Sequence, residues 1–210
     1  MDETPEDKAQ TNFTDPALRI MQTNNKGWEY GGNAQASVDA ACQIILACDV
    51  TEASHDTQQA PPLARLTWAQ LQHAGIAVPP DAAGPGQKLP GTYASGYDRA
   101  AAAAAVEQLW SEPYMATGRQ RHHARQPKAS EPPGTAKDRM AAKVQTPQGR
   151  ALYARRKVIV EPVFGQIKEV RGFRRFLLRG LQKICGEWCL ACVTHNLLKI
   201  WRHGCAPIAV

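Results

Sequence analysis

The chain has 210 residues, of which 43% are apolar, so it can hold one domain of ordinary size with tails and a buried core. It has no apolar run of ~18 residues and no signal-peptide pattern, which argues against a membrane or secreted protein and predicts a cytoplasmic one. The formal charge of +6 arises despite four acids in the first seven residues. This asymmetry favours a nucleic-acid partner over the alternative of a basic enzyme without one.

The N-terminal half is predicted to combine strands and helices. Residues 1–12 are polar and acidic and are predicted to be a disordered tail, residues 13–203 to form one α/β domain, and residues 204–210 to be a C-terminal tail. Within the domain, Glu29–Val38 and Cys42–Val50 are predicted strands joined by a tight turn. The second strand is almost wholly apolar, as is typical of a strand inside a sheet.

Two acids follow this second strand. Asp49 ends it and Asp56 comes shortly after, where metal ligands and helix caps both occur. We interpret Asp56 as a cap for a helix over Thr57–His73, which is predicted to end at Gly75. The six cysteines do not form the dense framework of a small secreted domain, so reduced thiols are expected.

The middle of the chain is predicted to be mostly loop with short regular elements. In order, the prediction is a loop, a strand, a helix and a strand, at Pro79–Gly91, Thr92–Tyr97, Ala100–Trp110 and Pro113–Thr117. Residues 118–145 are predicted to be a basic mobile loop. His122 and His123 could suggest a metal site there, but no neighbouring Cys or acid supplies further ligands, so solvated histidines are favoured.

A long helix is predicted to start at Thr146-Pro147 and run towards Val170, divided near Val160 by the backbone constraint of Pro162. Its apolar stripe has helical spacing and consists of Val160, Val163, Phe164, Ile167 and Val170.

The opposite face of this helix carries Lys157, Glu161, Gly165 and Lys168. Helical geometry brings Lys168 to within ~20° of Glu161. Two interpretations stay open: a flat surface that a DNA backbone approaches, or an ordinary surface helix with a Lys157–Glu161 pair.

Further cations follow, interleaved with aromatic residues, and are typical of phosphate contacts: Arg171, Arg174, Arg175 and Arg179. A final helix is predicted from Leu181 to about His203. Its Cys185, Cys189, Cys192 and His195 have zinc-ligand chemistry, but ten residues of helix span ~15 Å and cannot surround one ion. Buried thiols lining a core helix are therefore the favoured interpretation.

The stretch from Tyr153 through Arg156, Lys157 and Glu161-Pro-Val-Phe-Gly-Gln-Ile-Lys168 resembles the Tyr-Arg-Glu-Lys signature of bacterial insertion-sequence transposases of the DDE type. Lys157 stands where the signature has Arg, and Tyr153 lies one residue further upstream than the pattern gives. Other segments resemble the same family in the same order: Thr14-Asp15-Pro16, Gly32-Asn33-Ala34-Gln35-Ala36, Asp49-Val50-Thr51, Met115–Gln120, Glu187-Trp188 and His195-Asn196.

The resemblance implies a ribonuclease-H-like fold, a mixed sheet flanked by helices with a helical C-terminal region. It implies Mg²⁺ or Mn²⁺ bound by three acids for DNA strand cleavage and transfer. Glu161 matches the third acid, as metal ligand and catalytic residue, with Lys168 as its catalytic partner. The second acid is replaced by Ala94, with Asp81 and Asp98 nearby but out of register, and the first is expected upstream of Thr14.

The resemblance therefore predicts an N-terminally truncated, catalytically inactive transposase homologue. DNA at insertion-element ends is its expected partner, bound by the following residues: Arg156, Lys157, Lys168, Arg171, Arg174, Arg175 and Arg179. One alternative is a DNA-binding or dimerising remnant, pairing with itself or with an intact transposase that it modulates. Another is an active nuclease that uses relocated acids such as Asp49.

Overall fold

The computed structural model describes residues 12–22, 27–56, 58–76, 88–93, 101–109, 111–115 and 136–203. Their elements are, in order, β1 (Arg19–Gln22), β2 (Trp28–Gly31), β3 (Asn33–Val38), β4 (Ile45–Thr51), α1 (Ala60–His73), β5 (Leu89–Tyr93), α2 (Ala101–Glu107), β6 (Ser111–Met115), α3 (Ala136–Gln145), α4 (Pro147–Gly165), a π-helical turn (Gln166–Val170) and α5 (Leu181–His203). This mixture confirms the α/β class. None of these described helices is long and apolar enough to cross a membrane.

The described strands form three separate two-stranded sheets, not the single mixed sheet that the sequence predicted. β1 pairs with β2 and β3 with β4 in antiparallel fashion, whereas β5 pairs with β6 in parallel. Both strand orientations of a mixed sheet are therefore present. Within the described ranges, however, no strand pair is hydrogen-bonded to the next one.

The strand predicted over Glu29–Val38 is two strands, because Gly32 separates β2 from β3. A Cβ atom at Gly32 would lie 2.7 Å from Val50 Cγ1 and 2.9 Å from Ile184 Cδ1. Only glycine permits such a close approach of the backbone to β4 and α5. The chain therefore leaves the first strand pair at this point and enters the second.

The turn between β3 and β4 is longer than the predicted one, and β4 begins only at Ile45. The Asp39 carboxylate accepts hydrogen bonds from the backbone N–H groups of Ala41 at 3.1 Å and Cys42 at 2.6 Å. Gln43 follows with φ +59°, a left-handed conformation that is unusual for a residue with a Cβ. The hydrogen bonds of Asp39 thus fix the turn, and the backbone of Gln43 within it is strained.

The start of α1 corrects the capping role predicted for Asp56. The helix begins at Ala60, and its N-cap residue Gln59 makes no side-chain capping bond. Asp56 Oδ1 instead accepts from Asn33 Nδ2 at 2.7 Å and from Gln35 Nε2 at 2.9 Å. The aspartate therefore fastens the loop before α1 to β3. The predicted stop at Gly75 is confirmed, with φ +69°.

β5 begins at Leu89, inside the segment predicted to be a loop. Its Gly91 lies against β6, where an added Cβ would be 2.3 Å from Ser111 Oγ. Glycine and proline there indicated a loop, but the parallel pairing with β6 needs the glycine for close contact. Residue 94 and the positions of Asp81 and Asp98 lie outside the described residues.

Helix α3 corrects the prediction of a basic loop over residues 118–145, of which 118–135 lie outside the described part. Met140 and Val144, one turn apart, are 2% and 6% exposed. Lys143 forms an ion pair with Glu112 at 3.0 Å and stands 4.5 Å from the centre of the Tyr114 ring. The prediction of a loop was based on the charge of this segment and did not take account of the helical spacing of Met140 and Val144.

Two clusters of buried side chains hold the elements together. The first joins α1, α2, β6 and α3 and contains Ala60, Ala64, Ala102, Ala103, Val106, Tyr114, Met115, Met140 and Val144. The second joins β4, the end of α4, the π-helical turn and α5 and contains Ile45, Val50, Val163, Ile167, Ile184, Trp188 and Cys192. Helix α4 contributes to both, because Leu152 and Tyr153 pack against the first cluster.

Helix α4 begins where the sequence predicted but is not divided at Val160. Thr146 Oγ1 accepts from the Gly149 N–H at 3.0 Å, and Pro147 occupies the first turn.

The helix continues through Pro162 to Gly165. Pro162 has no N–H for the carbonyl of Val158, four residues back, but Gln43 Nε2 donates to that carbonyl at 2.9 Å. A side chain from the β3–β4 turn thus replaces the missing helical donor.

The π-helical turn changes the face that the end of this helix presents. Val163 and Ile167 are 1% and 0% exposed, whereas Val170, predicted to share their stripe, is 79% exposed. The Arg171 N–H bonds to the carbonyl of Gln166, five residues back, so each residue rotates less than in an α-helix. Gly172, with φ +70°, then ends the turn.

Candidate nucleic-acid interface

Glu161 lies on the exposed side of α4, one residue before Pro162. Among the described residues its carboxylate has no ion-pair partner. Lys157, one turn earlier, is also exposed, and the Lys157–Glu161 ion pair considered from the sequence is not formed. Both side chains are therefore open to solvent and to an incoming ligand.

Lys168, the predicted catalytic partner of Glu161, lies in the π-helical turn rather than in α4. Its Nζ stands 5.5 Å from the centre of the Phe164 ring. The predicted alignment of Lys168 with Glu161 assumed α-helical rotation throughout, and the π-helical turn changes that rotation. The structure thus leaves Lys168 exposed but does not pair it with the carboxylate.

Three of the predicted DNA-binding arginines have partners within the chain. The Arg156 guanidinium lies 5.5 Å from the centre of the Tyr153 ring, and its buried Nε lacks a hydrogen-bond partner among the described residues. Arg171 donates to the carbonyl of Thr194 at 2.8 Å and to its hydroxyl. Arg174 forms an ion pair with Glu169. The guanidinium groups of these arginines are thus partly engaged within the chain, and that of Arg171 joins the end of the π-helical turn to α5.

The remaining predicted cations are exposed, and in the described part of the chain none of them forms an ion pair: Lys157, Lys168, Arg175 and Arg179. Arg175 and Arg179 belong to the segment between Gly172 and α5. Arg155 is a further exposed cation beside Lys157 that the sequence-based set left out, although the Arg155–Lys157 run was visible. Lys168 lies near the Phe164 ring, but like the other three it has no acid partner in the described structure. Exposed cations without acid partners can exchange counterions for phosphates.

Residues of α5 that carried the family resemblance fasten this helix to the rest of the chain. Trp188 Nε1 donates to the Gln35 carbonyl at 3.0 Å. His195 Nε2 lies 2.9 Å from the carbonyl of Gln43. Asn196 bonds both backbone groups of Ile45 at 2.8 Å, donating to its carbonyl and accepting from its N–H. Their partners lie about 150 residues earlier, so sequence reasoning could not assign these roles.

Two acids of the resembling segments also have structural roles. Asp15 is 5% exposed and accepts from the Ala17 N–H at 3.2 Å and the Gly180 N–H at 2.8 Å. Glu187 accepts from the backbone N–H groups of Leu177 and Leu178 at 3.0 and 3.1 Å. Both carboxylates therefore hold the segment that precedes α5.

A thiol group of β4 joins those of α5, which the sequence did not indicate. Cys48 Sγ lies 3.5 Å from Cys189 Sγ, and Cys185 Sγ lies 3.7 Å from Asp49 Oδ1. Burial, Cys189 and Asp49 raise the pKa of Cys185 to about 11. Hydrogen bonding to Cys192 and burial raise the pKa of Cys48 as well. These thiols are held in the protonated form near neutral pH, and Cys192 is 3% exposed within the second cluster.

The divalent metal implied by the resemblance does not fit the described residues. Asp49, the relocated acid considered from the sequence, uses Oδ1 to accept from the Val50 N–H at 2.8 Å. Among the described side chains, no three His, Cys, Asp or Glu residues are placed to hold a metal ion. Glu161 therefore has no companion ligands there, and we derive no metal-dependent step from this site.

Residues 113–201, from β6 almost to the end of α5, match the family model described as a transposase DDE domain. The match spans less than half of the 210-residue chain. Comparison with curated proteins and with solved structures found no significant match. The matched segment includes Glu161 and all the predicted DNA-binding residues, and the match supports a DDE-type transposase.

Proposed function

We propose that this protein is a DNA-binding homologue of DDE transposases, of the insertion-sequence group with the Tyr-Arg-Glu-Lys signature, that acts in the cytoplasm without transferring strands. The match to a transposase DDE domain over residues 113–201 supports the family part of the proposal. The exposed cations of the matched segment support the DNA-binding part.

The observation that carries the proposal is the state of these cations. Lys157 and Lys168 flank Glu161, and Arg175 and Arg179 follow on the next segment; within the described structure none of the four is neutralised by an acid. A surface whose cations served only internal ion pairs would release few counterions on meeting DNA. Free cations on adjacent segments bind a phosphate backbone with strong salt dependence.

The absence of strand transfer is proposed from residue 94. The resemblance puts the second metal-binding acid at this position, and the sequence has Ala94, which has no ligand atom. Glu161 would then be a remaining ligand of an incomplete set. The Glu161 carboxylate is exposed, but two-metal chemistry also requires neighbouring acids, and it has none among the described residues.

DNA binding is tested by titrating purified protein against insertion-end and unrelated duplexes at several salt concentrations. The combined change Arg175→Gln and Arg179→Gln is expected to weaken binding and to reduce the slope of log K against log salt by about 2. Arg65→Gln, at an exposed arginine of α1, is the matched control and should leave binding unchanged. Equal binding by all three proteins would contradict the proposal.

Catalytic inactivity is tested by incubating the protein with supercoiled insertion-end DNA and Mg²⁺ or Mn²⁺. No cleavage and no strand transfer are expected. Cleavage that disappears in Glu161→Ala would show that the site is active, and Asp49→Ala then decides whether a relocated acid completes it.

The alternative is a DNA-binding or dimerising remnant that modulates an intact transposase. The exposed cations and the uncovered face of α5 favour it. It predicts that adding this chain to an active transposase of the same element lowers the transposition frequency. If Arg175→Gln with Arg179→Gln removed DNA binding but not this inhibition, the effect would arise from protein pairing.

A further inference from the structure

The loop between the π-helical turn and α5, residues 172–180, is fixed at both ends and packed on one side. It begins at Gly172 with φ +70° and ends at Gly180 with φ +85°. Within it, Phe173 and Phe176 meet edge to face with ring centres 5.7 Å apart, and both pack against the second cluster. The two aromatic rings therefore anchor this loop to the domain.

Two adjacent leucines of the same loop are exposed. Leu177 is 74% exposed and Leu178 is 50% exposed. Exposed leucines that occur singly need no explanation, whereas these two are neighbours on an anchored loop. This arrangement favours an apolar contact with a partner.

The backbone of the two leucines is held by an acid of α5. The Glu187 carboxylate accepts from the N–H groups of Leu177 at 3.0 Å and Leu178 at 3.1 Å. Because both N–H groups are bonded to the side chain of one helical residue, the leucines are positioned before a partner arrives. Such preorganisation lowers the cost of ordering the loop on binding.

The charge around the leucines indicates which partner fits. Residues 171–179 contain four arginines and no acid. Arg175 and Arg179 stand before and after the leucines in the sequence, are exposed, and have no ion-pair partner in the described ranges. Lipid surfaces are usually bound through a long amphipathic face, which this short loop lacks. Leucine beside arginine is instead the combination with which proteins open base steps in the minor groove of DNA.

We propose that Leu177 and Leu178 form a wedge that enters the minor groove and separates two adjacent base pairs, while Arg175 and Arg179 contact the neighbouring phosphates. This proposal rests on the DNA binding proposed above and adds the form of DNA that is bound. A wedge of this kind unstacks one base step and kinks the duplex. Flexible pyrimidine–purine steps and mispaired sites lose the least stacking when they open, so they are the preferred substrates.

The first test compares two duplexes that differ only in one central mismatch, with binding measured by fluorescence anisotropy. The wild-type chain is expected to bind the mismatched duplex about tenfold more tightly than the fully paired one. The combined change Leu177→Ser and Leu178→Ser should abolish this preference while circular dichroism stays unchanged. It should also keep the salt dependence of the wild type, because no cation is removed.

Two further variants control for the serine substitutions. Leu177→Met with Leu178→Met should keep the preference for the mismatched duplex, since methionine is also a wedge residue. Leu190→Ser, at a leucine of α5 that is 64% exposed, is the matched control outside the loop and should keep it too.

The second test measures the kink by resonance energy transfer between dyes at the two ends of a short duplex. Wild type should bring the ends closer, by a bend of roughly 20° or more, and the double serine variant should not. A wild-type chain that binds both duplexes equally, or a serine variant that keeps the preference and the kink, would overturn the wedge and leave the proposed DNA binding intact.

Two other outcomes would identify a different fault. Failure of the wild type to bind either duplex at low salt would overturn the proposed DNA binding and the wedge together. Binding to vesicles of anionic phospholipid that disappears in the double serine variant would assign the leucines to a lipid surface and overturn the wedge.

Discussion

The side-chain amide of Gln43 donates to the carbonyl oxygen of Val158 at 2.9 Å, at the point where Pro162 deprives α4 of a helical hydrogen bond. The same amide lies 3.2 Å from the Ile159 carbonyl, and Gln43 Oε1 accepts from Lys199 Nζ at 2.7 Å. One side chain therefore joins the β3–β4 turn to both long C-terminal helices, close to Glu161.

Two substitutions of Gln43 separate the stabilisation by its side-chain amide from the strain of its left-handed backbone. Gln43→Ala is expected to lower the free energy of unfolding by about 2 kcal/mol, because a helical carbonyl loses its donor. Gln43→Gly should lose about 1 kcal/mol less, since glycine adopts a φ of +59° without strain. Urea denaturation measures both.

Gln72→Ala, at an exposed glutamine of α1, is the control for Gln43 and should change stability by less than about 0.5 kcal/mol. If Gln43→Ala were as mild as this control, the hydrogen bonds to α4 would have no stabilising role.

The burial of His195 predicts a loss of stability in acid. Its side chain is fully buried, and burial, with smaller effects from Lys199 and Arg171, lowers its pKa below the ordinary 6.5. The unfolded chain then binds a proton that the folded chain does not, so stability falls as the pH drops below 6.5 towards the folded value. His195→Gln removes this proton difference.

The measurement for His195 is the free energy of unfolding at pH 7.5 and pH 5. Wild type should lose more stability between these values than His195→Gln does. Exposed His55→Gln is the control and should follow the wild type. A steeper pH dependence in His195→Gln than in the wild type would have the wrong sign.

The contact between Cys48 and Cys189 predicts a specific disulfide under oxidation. Diamide should take up two thiol protons and two electrons and leave one bond between these residues, which are 141 positions apart. Because the thiol pKa values of both residues are raised, the reaction should be slow at neutral pH and faster in alkaline solution. Closing so long a loop should stabilise the oxidised chain by several kcal/mol, about 4 to 5 in the chain-entropy estimate.

Peptide mapping without reductant identifies the bond, and Cys48→Ser should abolish the gain in stability. Cys42→Ser is the control, since Cys42 lies in the β3–β4 turn away from this pair. A mapped disulfide that leaves out Cys48 would contradict the prediction.

The left-handed backbone at Gly180, just before α5, predicts that a side chain at this position lowers the free energy of unfolding. Its φ is +85°, and its N–H bonds to Asp15 Oδ2 at 2.8 Å. Gly180→Ala should lower the free energy of unfolding by about 1–2 kcal/mol through backbone strain. Gly186→Ala, inside α5 with open space around its Cβ position, should instead raise it by about 0.5–1 kcal/mol. Thermal melts that show the same sign for both would argue against the strain.

The elements that sequence reasoning located correctly depend on local signals. Thr146-Pro147 marks the start of α4, and Leu181–His203 forms one helix because its apolar residues repeat at helical spacing. The roles of Gln43, His195 and Asp15 depend instead on partners more than 100 residues away. No local pattern contains that information, so the sequence did not indicate these roles.

The exposure of several predicted cations could be expected from the sequence, but the contacts of the others could not. Exposed Lys157, Lys168, Arg175 and Arg179 follow from charge on polar segments. That Arg171 instead holds Thr194 requires the fold. The position of Lys168 around the helix axis also requires the fold, because a π-helical turn has no reliable sequence signal.

Because α4 packs Leu152 against one buried cluster and contributes Val163 to the other, the two clusters share a continuous backbone helix. Melting either cluster would fray that helix and expose apolar surface in its neighbour. The described parts should therefore lose structure in a single cooperative transition, with hydrogen exchange in α2 and α5 reporting the same opening free energy.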